Sequence, residues 1–237
     1  MRPVLVAVMS ACLAAIQPAS GQVVTAINAC RVDSAGTVVL SGRTILHEGT
    51  ALTISALSRE ATAFVHGNGT FASASFGDSG EPTPAASASV RIVSHFTREL
   101  QPYSVLSRTG VGGSKFARYE HQLVPDDSTA PGAARHLDVT VPVAIPPFAP
   151  IAKPATITQL FILPMPVPDV DRGYRMTATF AVDIMGNGTL VGWNRPIDES
   201  WGNKAMKTLF GYRFRPALHA DGTPACSLAV IRAAVTK

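Results

Sequence analysis

The chain has 237 residues, of which 46% are hydrophobic and 15% charged, enough apolar material for a packed core and too little charge for a disordered chain. Its net charge of +4 is modest, and no Lys/Arg cluster interleaves with aromatic residues, so a nucleic-acid-binding surface is not indicated. Frequent Gly and Pro, with Thr, Val and Ser in short alternating runs, favour β structure over a helical bundle.

Residues 1–21 read as an export signal. Arg2 precedes an apolar run from Val4 to Ile16, Pro18 breaks it, and Ala19-Ser20-Gly21 offers the small residues a signal peptidase needs. Cleavage there starts the mature chain close to Gln22 and sends it to the periplasm or outside the cell; retention as an uncleaved anchor is the alternative. Cys12 follows too short a segment for a lipidation site. The run is shorter than a spanning helix, and no later window reaches the ~20 apolar residues a transmembrane helix requires.

Residues 22–145 read as one antiparallel β domain, a sandwich or a small barrel. Leu52, Ile54 and Ala56 alternate with Thr53 and Ser55, Ala61 to Val65 is a second strand, and His66-Gly67-Asn68-Gly69 is a tight turn from which Phe71 to Phe76 returns. Ser87 to Phe96 and Leu137 to Ile145 continue the series, while Asp78 to Ser89 and Asp126 to Ala134 have loop composition. Residues 146–155, with Pro146-Pro147 and Pro150, read as a stiff linker.

Residues 156–237 form a small α+β unit. Tyr174, Met176, Ala178, Phe180 and Val182 keep the period of two of a half-buried strand, Gly186-Asn187-Gly188 makes the turn, and Thr189 to Trp193 returns. Asp198 is placed to cap a helix whose Trp201, Ala205, Met206, Leu209 and Phe210 share one face, and Gly211 ends it. The order Val182-Asp183, Gly188, Ala205, Tyr212-Arg213-Phe214-Arg215-Pro216-Ala217, Asp221-Gly222 and Pro224 resembles the C-terminal domain of the TonB energy-transducer family, over about a quarter of the chain. The Tyr-Pro-x-x-Ala opening of that domain is missing, with Pro164 to Arg172 in its place.

The resemblance implies a β-β-α-β unit and a non-catalytic adaptor that binds a segment of an outer-membrane or envelope protein. The final strand, including Ser227, Leu228, Ala229 and Val230, would pair with the guest, and Arg213 and Arg215 would attract acidic groups unless they are only solvated. Phe214, Pro216 and Trp201 are structural on this reading: the Phe pins the chain leaving the helix, and the Pro ends ladder donation. The alternative is a periplasmic or secreted structural or assembly protein with the C-terminal unit packed permanently on the β domain.

Once Cys12 leaves with the signal, Cys30 and Cys226 remain, in contexts that suit either a disulfide or two separate buried thiols. No sequence pattern specifies a catalytic site, cofactor or metal. Gly110-Val111-Gly112-Gly113-Ser114-Lys115 lacks the phosphate-loop order and reads as a turn. His47, His66, His95, His121, His136 and His219 are scattered without metal-pair spacing, and Asp126-Asp127 and Asp169/Asp171 read as soluble loop carboxylates beside prolines.

Overall fold

The computed structural model of the chain describes residues 22–32, 37–73, 76, 87–116, 122–126, 135–159 and 167–234. The segment read as a signal, with Cys12, lies outside them, as do His121 and Asp127. Among the described residues strand dominates, in five antiparallel sheets with two short α-helices. None of the described helices is long and apolar enough to cross a membrane.

The N-terminal unit contains β1 (Val24–Arg31), β2 (Val38–Thr44), β3 (Ala51–Ala56), β4 (Arg59–Phe64), β5 (Thr70–Ala72), β6 (Ser87–His95), α1 (Tyr103–Thr109), β7 (Leu123–Pro125) and β8 (Arg135–Ala144). They build a three-stranded sheet in the order β1-β2-β5 and a five-stranded sheet in the order β4-β3-β6-β8-β7. Both sheets feed one apolar cluster: Val24, Val38, Leu40 and Phe71 come from the first, Leu52, Ile54, Val90, Ile92 and Leu137 from the second. The alternation read along Leu52 to Ala56 is the inner face of β3.

One turn has no counterpart in the sequence reading, and another differs from it. The bend between β3 and β4 uses Leu57 and Ser58 at φ 50° and 59°, a left-handed pair without glycine that gives no sequence signal. The His66–Gly69 turn forms, with Gly69 at φ 74° and Asn68 Oδ1 accepting from Thr70 N and Oγ1 at 3.1 and 2.6 Å. It does not close a hairpin. β4 pairs with β3 and β5 with β2, so the turn carries the chain from one sheet to the other, where Phe71 is fully buried beside Gly42. The stretch Gly110–Lys115 is a turn after α1, with Gly110, Gly112 and Gly113 at positive φ.

The C-terminal unit contains β9 (Ile151–Lys153), β10 (Thr156–Gln159), β11 (Arg175–Val182), β12 (Gly188–Trp193), α2 (Glu199–Leu209), β13 (Arg213–Arg215), β14 (Ala217–His219), β15 (Pro224–Ala225) and β16 (Ser227–Ala234). Its sheets are β10-β13, β12-β11-β16 and β15-β14-β9. The stretch read as a linker therefore carries a strand: Lys153 pairs with Leu218 and Ile151 with His219, while residues 146–150 before it and 154–155 after it stay outside the ladders.

The hairpin β11–β12 turns through Gly186 at φ 81°, fastened by Asp183 Oδ1, which accepts from Met185 N and Asn187 N at 2.8 Å each. Asp198 caps α2, its Oδ1 accepting from Trp201 N at 2.7 Å. Phe210 closes the helix in a helical conformation, and Gly211 follows without positive φ, so its freedom is not what ends the helix. Asp171 is no solubilising loop residue: it is buried, and its carboxylate accepts from Ile197 N and Asp198 N at 2.8 and 3.1 Å, fixing the approach to α2.

Candidate functional site

The run from Tyr212 to Ala217 threads three small sheets together. Phe214 is 6% exposed and packs on Phe180, with ring centroids 5.2 Å apart. A Cβ on Gly188 would lie 2.4 Å from the Phe214 ring, so that glycine is imposed by the aromatic side chain, whereas Gly186 is required by its φ of 81° and by the backbone carbonyl of residue 214 beside it. Pro216 stands between β13, which pairs with β10, and β14, which pairs with β9 and β15. A residue without an N–H suits that change of partner. Trp201 is buried on α2 and meets Tyr174 edge-on, with centroids 5.2 Å apart.

β16 lies at the edge of its sheet, paired with β11 from Ser227↔Val182 to Ala234↔Arg175, and no other described strand pairs with it. Its residues alternate. Ser227 and Ile231 are buried and Ala229 is half-buried, on the face that joins the core of Ala178, Phe180, Leu190, Leu209, Tyr212 and Phe214. Leu228 and Val230, 38% and 54% exposed, lie on the outer face with Arg232. The Ser227 Oγ is buried without a hydrogen-bond partner among the described residues.

The opposite edge of the sheet, β12, meets the N-terminal unit at Leu190. There the Leu190 carbonyl on β12 accepts from His66 Nε2 at 2.8 Å, and the His66 ring stands 5.4 Å from that of Phe210. A carbonyl can only accept, so Nε2 carries the proton. Burial, the largest influence, holds the His66 pKa below its ordinary value of 6.5. The two units are also joined covalently: Cys30 on β1 and Cys226, just before β16, form a disulfide with Cα atoms 5.7 Å apart.

Arg213 and Arg215 are exposed on β13, in a different sheet from Ser227, Leu228, Ala229 and Val230. The Arg213 guanidinium turns back on its own chain, donating to the carbonyls of Phe210 and Tyr212 at 3.4 and 3.1 Å. Nearer the edge are two arginines that the sequence reading did not select. Arg232 pairs with Thr177 and Arg175 with Ala234, which makes them diagonal neighbours on the outer face, both exposed. Their strand parity was visible in the sequence, but their proximity depends on the β11–β16 register.

A second group of polar side chains sits in the N-terminal unit, where His95, Asp126 and His136 each bring one potential ligand atom within 4.8 Å of the others. The histidines read as scattered are in this case neighbours, and Asp126, read as a loop carboxylate, bonds to one of them. No protein-family profile, curated protein or solved structure matches the chain.

Proposed function

We propose that the chain is a non-catalytic adaptor of the cell envelope, periplasmic or secreted, whose final strand takes up an extended segment of an outer-membrane or envelope protein by strand addition. The observation that carries this is β16 itself, an eight-residue strand with β11 on one side and no described strand on the other. An unpaired edge offers backbone groups to any extended guest, and most proteins blunt or cover theirs. On the β12 edge, by contrast, the Leu190 carbonyl already accepts from His66. The guest's side chains would lie beside Leu228 and Val230, and Arg175 and Arg232 favour acidic residues towards the strand's end.

The TonB-like order of Val182-Asp183, Gly188, the Tyr212–Ala217 run and Asp221-Gly222 supports an envelope protein segment as the guest. The disulfide supports an oxidising compartment. On this reading the N-terminal sheets form a sandwich that holds the β-β-α-β unit in a fixed pose.

The bridge also favours a second reading, a structural or assembly protein in which β16 is locked against the N-terminal unit. A photo-reactive residue in place of Leu228 or Val230 separates the two. The adaptor gives crosslinks to one extended segment of an envelope protein, with a pattern that alternates along the guest. Crosslinks only within the chain would sustain the structural reading.

A further inference from the structure

We propose that His95, Asp126 and His136 form a binding site for a first-row divalent metal ion, Zn²⁺ being the cation their donor set fits. The ladder brings them together. In the β6–β8 register His95 stands directly opposite His136, and the two imidazoles are stacked with centroids 4.6 Å apart and planes at 29°. β7 runs along the other side of β8, pairing Val124 with His136 and Pro125 with Arg135, so Asp126 leaves the strand end beside both rings. Asp126 Oδ1 is 2.5 Å from His136 Nδ1 and 3.4 Å from His95 Nδ1.

Those distances are close to what a metal requires. Ligand atoms at ~2.0–2.1 Å from a tetrahedral zinc stand roughly 3.3 Å from one another. The Asp126–His95 separation already meets this, and the Asp126–His136 hydrogen bond has to open by less than about 1 Å. Two imidazole nitrogens and one carboxylate oxygen suit zinc better than magnesium or calcium, which prefer all-oxygen shells. The fourth position would be left to water or to a group from a partner.

The surroundings support the same assignment. Asp138 Oδ2 lies 4.0 Å from Nε2 of His136, the nitrogen turned away from Asp126. Asp138 is itself held by Arg91, whose Nε and Nη2 donate to its two oxygens at 2.9 and 2.6 Å. At 4.0 Å that carboxylate is beyond hydrogen-bond reach of the ring, but its negative charge favours a cation held on the imidazole. Bound there, the ion would clip β7, the edge strand of the five-stranded sheet, to β6 and β8.

The test uses the untagged, oxidised full chain, stripped with chelator and titrated with zinc chloride by calorimetry, while long-range ¹H–¹⁵N spectra follow the histidine rings. One equivalent is expected to bind and to shift the resonances of His95 and His136. His95→Ala or Asp126→Ala should weaken binding by about a hundredfold or more, and Asp138→Asn by about tenfold. His219→Ala should leave it unchanged. Absence of binding at millimolar zinc, shifts confined to other histidines, or unchanged affinity in the His95 and Asp126 variants would overturn the assignment. The wild-type ring spectra decide the matter even if a variant fails to fold.

Discussion

Replacing Phe214 by Ala removes the ring that the β11–β12 turn is built around. With Phe214 6% exposed, its side chain buries roughly 150–200 Å², which at ~25 cal/mol per Å² is worth about 4–5 kcal/mol, within the 3–5 kcal/mol typical of buried Phe→Ala changes. Gly188 gives the control. Its φ is ordinary, so alanine there is not strained by the backbone, and the cost comes from a Cβ set 2.4 Å from the Phe214 ring, about 1–3 kcal/mol for an overpacked site. Once the ring is gone that cost should largely disappear. In urea denaturation of the oxidised full chain, the double variant is therefore expected to be more stable than the sum of the single losses by about 1–2 kcal/mol. Strict additivity, or a Phe214→Ala loss below about 1 kcal/mol, would refute the placement of Phe214 over the turn.

Removing the disulfide with Cys30→Ala/Cys226→Ala should destabilise the chain by up to about 5 kcal/mol, since it closes a separation of 196 residues; denaturant titrations with and without the change measure it. Ser227→Ala should be neutral or stabilising by up to about 1 kcal/mol, because it removes a buried hydroxyl with no partner among the described residues, and a clear loss in thermal melting would contradict this. Because folding depresses the His66 pKa, the folded state binds fewer protons in acid. Stability from this residue is complete above 6.5 and is lost as pH falls from there through the folded value. A His66→Gln variant should show a weaker acid dependence between pH 7 and 5 in melts that monitor the C-terminal unit.

What local chemistry determines was legible in the sequence. The Asp198 cap, the Gly186 turn, the strand from Arg175 to Val182 and the helix face that buries Trp201 follow from nearest neighbours and periodicity, while the burial of Phe214 was expected only from the resemblance of its run to a known domain. What depends on register was not. His95 and Asp126 are thirty-one residues apart by number and meet only because β6 and β7 flank β8. Arg232 and Arg175 become neighbours only through the pairing of the first and last strands of the C-terminal sheet. The Cys30–Cys226 bridge had equal claim with two free thiols until the packing of the units was known. Asp171 was misread because a carboxylate among prolines looks the same in sequence whether it faces water or a helix start.

The docking edge is tested most directly by residue-resolved amide hydrogen exchange along β16 in the free, oxidised protein. In an edge strand of an antiparallel pair, alternate N–H groups point into the ladder and away from it. From Ser227 to Ala233 protected amides are expected to alternate with fast-exchanging ones, and the alternation to be lost when a guest segment binds. Uniform protection along β16 in the free protein would mean that its outer side is already paired, contradicting the adaptor reading.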